Sequence, residues 1–286
     1  MQDQASQLRQ LVLRANRRAV ADHAAPPRLV VISGGKTGVG PTTLAVNLSI
    51  ALAGQGCRTV LIDADLSGAN AAAYCGCQET PGIGDVLAGR NDIHEVLQLG
   101  PGGIQLAAGT RSSESRGHCT EKSLSRVMKQ IRSLGLHADT VVVDAGHQAG
   151  EISVRFWQTG DEVLLVTSPD AVAVMDSYAA IKTMLSRTQG PIALRLLVNF
   201  ADSAEIAADV HGRIDKSCQR FLGLSLTMGG ALPSDNLAGL AVSNAAPLIL
   251  AQPQSPLALA IECLAAQLVQ QQGQTPGIAA PRRLTA

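Results

Sequence analysis

The sequence predicts an α/β fold: a three-layer, doubly wound, mostly parallel sheet covered by helices on both faces. Three observations carry that expectation. Short apolar runs alternate with longer helical stretches along most of the 286 residues, the pattern of parallel strands joined by crossover helices. Aromatic residues make up only 2% of the chain, so Ala, Val, Leu and Ile must build the core, as suits strands buried on both sides. A glycine-rich loop at residues 35–43 separates the first strand-like run from the first helical stretch, at the strand end where such sheets bind ligands.

At the N-terminus, Ala5, Leu8, Val12, Ala15 and Ala19 recur at helical spacing and form one apolar stripe, with Arg9, Arg14, Arg17 and Arg18 largely outside it. A detached helix with one apolar face either packs on its own domain or seeks a partner's groove. We therefore expect a docking helix over residues 1–20 and a linker over 21–27, which Pro26 and Pro27 extend. The main domain should occupy residues 28–271. Within it, strands are expected at 29–33, 59–63, 104–107, 140–144, 163–167, 194–198 and 224–227, and helices at 43–54, 121–134, 171–186 and 256–270. The tail 272–286 is punctuated by Gly and Pro, and Arg282 and Arg283 lack an apolar face to accompany them. It is expected to be disordered and to bind no membrane by itself.

Composition excludes several classes. A formal net charge of zero argues against direct nucleic-acid binding, which needs an excess of phosphate-neutralising charge. No apolar run approaches the length of a membrane span. The six cysteines are scattered without a secretory leader pattern and are expected as reduced thiols in a cytoplasmic protein. Cys75 and Cys77 are spaced too closely for a Cys-x-x-Cys metal or redox pair, and no second pair completes a site.

The loop carries the chemistry. Gly35-Lys36-Thr37-Gly38-Val39-Gly40-Pro41-Thr42-Thr43 satisfies the phosphate-binding pattern G-x-x-x-x-G-K-[ST] except that proline replaces the lysine. The glycines let backbone N–H groups converge on an anion, and the following helix offers it a positive end. Thr42 stands where a hydroxyl would meet Mg²⁺. Proline is well tolerated in the first turn of a helix. Its chemical cost is larger: a lysine about 4 Å from a phosphate charge is worth up to roughly 4 kcal/mol at an effective dielectric of 20, about a thousandfold in affinity before desolvation is subtracted.

Lys36 survives immediately after the first glycine, and from there the chain resembles the MinD/ParA superfamily of P-loop ATPases, whose K-G-G-V-G-K-T-T aligns with Lys36 to Thr43. The resemblance implies ATP and Mg²⁺ as cofactors. It gives Lys36 a catalytic role across an ATP-dependent homodimer and assigns phosphate binding to residues 35–43. The stretch from Asp63 through Asp65 to Asn70 resembles the family's D-A-D-L-x-x-A-N segment, which makes Asp65 the group that orients water and Asp63 a metal-managing acid. Asp144 ends an apolar strand as the Walker B acid does and is expected near Mg²⁺, with Thr42. Asn199 and Pro233 match positions beside the base. The segment after Asp144 departs from the family, because His147 and Gln148 stand where small residues are usual; His147 reads as a polar loop residue. Taken singly, Asp63, Asp65, Asp144 and Asn199 also suit capping or strand-end turns.

The N-terminal stretch Asp3-Gln4-Ala5…Leu8-Arg9 resembles the opening segment of flagellar-number regulators of the FlhG/FleN type. That resemblance implies that Gln4, Leu8 and Arg9 bind a partner, an SRP-type GTPase like FlhF, and it points to a flagellar transcription regulator or switch protein as a further partner. It also implies recruitment to the inner face of the membrane by such a partner. Two readings remain open at this point: a nucleotide-driven switch with weakened hydrolysis, or a nucleotide-independent binding module that keeps only the fold. A positioning ATPase for cell division or DNA segregation is a third.

Overall fold

The computed structural model describes residues 25–66, 68, 70–78, 81–110 and 118–272. The expected docking helix with Gln4, Leu8 and Arg9, the linker as far as residue 24, and the tail from residue 273 lie outside the described residues. Among the described residues eight strands form a single sheet: β1 (Arg28–Gly34), β2 (Thr59–Asp63), β3 (Leu97–Leu99), β4 (Gln105–Ala107), β5 (Thr140–Asp144), β6 (Glu162–Thr167), β7 (Leu194–Val198) and β8 (Thr227–Ala231). Their order is β3-β4-β2-β5-β1-β6-β7-β8. Strand β3 runs antiparallel to β4, and the other neighbours pair in parallel.

The longer helices are α1 (Pro41–Gly54), α2 (Glu121–Arg132), α3 (Glu151–Thr159), α4 (Ala171–Arg187), α5 (Ala204–Leu222), α6 (Asn236–Ser243) and α7 (Pro256–Gln272). They divide between the two faces of the sheet. Along β1, Leu29 and Val31 enter the core shared with α2 to α5, whereas Val30 and Ile32 enter the core shared with α1 and α7. This is the period-2 alternation of a strand with two buried faces. Helix α1 is buried continuously from Leu44 to Leu52, the polar Asn47 and Ser49 included, so it is a core helix. Its anchorage fixes the loop that precedes it.

Two expectations need correction. The strand expected at 224–227 begins only at Thr227. Residues 224–226 instead close the end of α5: the Leu226 N–H donates to Asp215 Oδ1 at 2.8 Å, and His211 Nε2 lies 3.1 Å from the Leu226 carbonyl. The alternating Leu224 and Leu226 reflect packing under that helix. Helix α5 was not among the expected helices, although its buried residues Ala207, Val210, Ile214 and Cys218 keep helical spacing. Its other faces are charged and outnumber that stripe. Ser203 caps it through the Ile206 N–H.

The lower edge of the sheet is closed by charge. Glu162, buried at the start of β6, accepts from Arg28 at 2.5 Å and from Arg195 at 2.7 Å. Arg28 also donates to the Leu268 carbonyl at 2.6 Å, tying β1 to α7.

Candidate phosphate-binding site

At the opposite edge, the C-terminal ends of β1, β2 and β5 bring three loops together. Register pairs Asp63 with Asp144 and Ile32 with Asp144 across adjacent strands, so the two acids are neighbours because the strands are in parallel register. The loop after β1 is braced from three sides. Gly34 N–H donates to the Gly146 carbonyl at 2.8 Å, Gly35 N–H to the Val166 carbonyl at 3.0 Å, and Asn199 Nδ2 to the Val39 carbonyl at 2.9 Å. Gly38 and Gly40 both hold left-handed φ, +86° and +89°, which a side chain would resist. Gly40 is the N-cap of α1, and no side chain caps that helix. Its first N–H groups are therefore left for an anion, except at Pro41, which has none.

The acids are buried and short of positive charge. Asp63 is fully buried; its Oδ1 accepts from Asp65 N–H at 3.2 Å and its Oδ2 from Ala71 N–H at 3.0 Å. Burial pushes its carboxyl well above the usual range, and the neighbouring Asp144 charge adds to that. Asp144 is pushed up to about 6, chiefly by burial, against the opposing pull of the Thr42 hydroxyl and the Gly146 N–H, with Asp65 raising it further. Gly146 N–H reaches Asp144 Oδ1 at 3.1 Å. Asp144 Oδ2 is buried and has no hydrogen-bond partner among the described residues.

That orphaned oxygen, with the Thr42 hydroxyl beside its carboxyl, fits a Mg²⁺ site. Among the described residues no cluster of three or more acids, cysteines or histidines forms a complete cage. Mg²⁺ bound with a nucleotide does not need one, because it takes most of its ligands from phosphate and water. Thr42 and Asp144 would hold the ion, Asp144 through water, with Asp63 supporting from β2.

Asp65 accepts from Gly68 N–H at 3.1 Å and lies against Gly146. A Cβ on Gly146 would come within 2.5 Å of Asp65 Cγ. Gly146, at φ +63°, is therefore the point where the segment after β5 touches the water-orienting candidate. A cleft of about 280 Å³ opens beside it, lined in part by Asp65, Cys119, Gln148 and Arg187.

Lys36 does not reach over the loop. Its Nζ lies 3.5 Å from Asp170, the residue that caps α4 through the Val172 N–H at 2.7 Å. Asn199 uses its amide to brace Val39 and accepts from the Phe200 N–H at 3.0 Å. Thr43 offers its carbonyl to Asn47 Nδ2 at 2.8 Å. Pro233 follows Leu232, whose backbone bonds both Val198 and Ala201 at the top of β7, so Pro233 and Asn199 share one corner of the site. The structure thus gathers Gly35 to Thr43, Asp63, Asp65, Asp144, Asn199 and Pro233 at one edge of the sheet.

Sequence reasoning gave three residues there no part in the site. Asp170 pairs Lys36; Ser168-Pro169-Asp170 ahead of an apolar helix was an N-cap signal that could have drawn attention to it. His147 Nε2 lies 3.0 Å from Thr37 Oγ1, a contact between residues 110 apart that no local pattern announces. Phe200, half-exposed, holds φ +57°, an uncommon conformation for a bulky residue.

A braced, glycine-rich loop feeding a core helix, with paired acids on the adjoining strands, defines a P-loop nucleoside triphosphatase architecture. The family model described as ParA: NUBPL iron-transfer P-loop NTPase matches residues 27–269, and the chain belongs to this ParA family. It is 32% identical over 240 residues to the antiactivator FleN of Pseudomonas aeruginosa, covering 84% of this chain and 85% of that protein. It is 26% identical to the flagellum site-determining protein YlxH of Helicobacter pylori, with 83% and 80% covered. Among solved structures, the septum site-determining protein MinD of Pyrococcus horikoshii, complexed with Mg-ADP, superposes with a TM-score of 0.72 at 22% identity, covering 88% of this chain and 100% of that one.

Proposed function

We propose that this protein is a nucleotide-dependent regulator of flagellar number or placement, which binds ATP with Mg²⁺ and hydrolyses it weakly. The observation that carries the nucleotide half is the orphaned Asp144 Oδ2 beside Thr42 and an uncapped α1, a buried charge deficit that a metal–phosphate ligand would relieve. The flagellar half rests on likeness to FleN and YlxH and on the Gln4, Leu8, Arg9 segment. In this reading residues 35–43 hold the phosphates, Thr42 and Asp144 orient the metal, and Asp65 positions the attacking water. Asn199 and Pro233 flank the base. Bound Mg²⁺ would neutralise developing charge on the phosphates. Lys36 leaves Asp170 and crosses to a second protomer, joining an ATP-dependent homodimer. The 1–20 helix then acts on an FlhF-like GTPase, while a flagellar transcription regulator or switch protein reads the dimer. The protein works in the cytoplasm and meets the membrane only when a partner carries it there. Among the described residues no helix is long and apolar enough to cross a membrane.

A second reading has its own support: Pro41 removes a donor and a charge, and His147 already touches the loop at Thr37. Both suit a nucleotide-independent module acting through its N-terminal helix. Light scattering with and without Mg-ATP separates the two. The switch reading expects ATP to dimerise the wild type and Lys36→Ala to stay monomeric and folded. It also expects full-length protein to raise the GTPase rate of an FlhF-like partner, and Leu8→Asp to remove that effect. A dimer that ignores both ATP and Lys36 would sink the switch; GTPase stimulation unaffected by ATP would leave the module.

A further inference from the structure

We propose that His147 contacts the terminal phosphate and supplies, from the opposite wall of the loop, the donor that Pro41 has removed; this rests on the nucleotide-binding reading above. The first support is position. His147 Nε2 sits 3.0 Å from Thr37 Oγ1, and Thr37 lies inside the phosphate loop, directly after Lys36. The second is rigidity. The residue before it, Gly146, gives its carbonyl to Gly34 N–H at 2.8 Å and to Ser33 Oγ at 3.1 Å, so the imidazole is carried on backbone bonded to the strand that launches the loop. Gly146 is further fixed by Asp65, which leaves no room for a Cβ. The imidazole is thus aimed by the same turn that joins the loop to the water-orienting acid.

The third support is need. The loop's own lysine is engaged with Asp170, and Pro41 contributes neither charge nor N–H. The acids Asp63, Asp65 and Asp144 meanwhile gather at the same edge. A triphosphate entering here meets an excess of negative charge, and a ring N–H donor at the loop is the kind of group that makes a charge-assisted bond to a phosphate oxygen. The present partner of His147 is an exposed hydroxyl, which water can satisfy when the ring turns to a ligand. The two departures from the family pattern, Pro41 and His147, therefore act as one exchange. A lysine on the helix has been traded for an imidazole on the segment after β5.

The test measures anisotropy of fluorescent ATP and ADP analogues with Mg²⁺ on full-length wild type, His147→Ala, His147→Lys, Pro41→Lys and the Pro41→Lys/His147→Ala double variant. His147→Ala should weaken ATP binding about tenfold or more, as for a hydrogen bond to a charged group, while ADP changes little. His147→Lys should restore ATP affinity. With Pro41→Lys present, removing His147 should cost much less. Equal losses for ATP and ADP would reduce His147 to a loop brace and overturn the proposal. Tighter binding by His147→Ala would also overturn it, by making the Thr37 contact a block. An undiminished cost in the Pro41→Lys background refutes the exchange. If neither wild type nor Pro41→Lys binds any nucleotide, the nucleotide reading itself falls; if they bind and His147→Ala binds equally well, only this inference does.

Discussion

The two edges of the same sheet, one at the strands' N-terminal ends and one at their C-terminal ends, treat buried charge in opposite ways. At the lower edge Glu162 is enclosed by Arg28 and Arg195, and Arg28 reaches on to the Leu268 carbonyl. At the upper edge Asp63 and Asp144 lie side by side at full burial, one oxygen of Asp144 has no partner, and the nearby Lys36 is turned to Asp170. Burying a charge is costly unless it is paired. The lower edge meets that cost internally and acts as a clamp. The upper edge leaves it outstanding, and an outstanding charge deficit is what a cation-bearing ligand can satisfy. Within one sheet, full pairing of the buried carboxylate marks structure and incomplete pairing marks the site, though Arg195 Nε is itself without a partner among the described residues.

The largest effect should come from breaking the complete end. Glu162→Ala strands two guanidinium groups in a half-buried setting and should cost about 3–5 kcal/mol, the usual size for uncoupling a buried ion pair, read from urea denaturation. A loss under about 1 kcal/mol would mean that the clamp contributes no more than a surface pair. Mending the incomplete end is the converse. Pro41→Lys should strengthen Mg-ATP binding by about 2 kcal/mol, roughly thirtyfold, once desolvation is taken from the Coulomb gain. Wild type binding as tightly as the variant would show that the upper edge already has its cation.

A more gradual effect, spread over the pH scale, follows from the buried acids. Asp144 keeps its proton to about pH 6 in the folded chain, against 3.8 for an ordinary carboxyl. Asp63 is shifted the same way. Between those values the folded state binds more protons than the unfolded one, so this contribution to stability is present below pH 4 and is lost as pH rises toward 6. One such group changes stability by at most about 1.4 kcal/mol per pH unit. Asp144→Asn should flatten the slope between pH 4 and 6 relative to wild type. Identical slopes would place the uncompensated charge elsewhere. Smallest of all, Asp170→Asn keeps the cap on α4 while removing the charge facing Lys36, and should leave the thermal midpoint close to that of the wild type, as for an exposed ion pair. A larger shift would show that the upper edge relies on that pair for its fold.

The upper edge could largely be read from sequence, for a physical reason, whereas the Arg28–Glu162–Arg195 clamp could not. Strands β1, β5 and β6 are buried on both faces, so their apolar runs are continuous and their ends distinct; Asp144 is visible as the acid that stops one. The loop is visible because a phosphate nest needs glycines at fixed spacing. What stayed hidden depends on distance along the chain. The Lys36–Asp170 and Thr37–His147 contacts join residues more than a hundred positions apart. Helix α5 was concealed by its polar faces, and the true start of β8 by Leu224 and Leu226, which alternate like a strand but pack beneath a helix.

Strand β1 lies in the middle of the sheet, between β5 and β6, although it precedes the other described strands in the chain. Its pairing must therefore wait for residues 140–167, and the loop after it waits longer still, because its braces come from Gly146, Val166 and Asn199. Long-range parallel pairing of this kind is slow to form. During translation the glycine-rich loop precedes the last of its three braces by about 160 residues, counting from Val39 to Asn199. A nascent chain halted after β5 lacks two of the three braces. The braced loop is thus a mark of a chain that has reached β7, and a product stalled earlier lacks its full bracing.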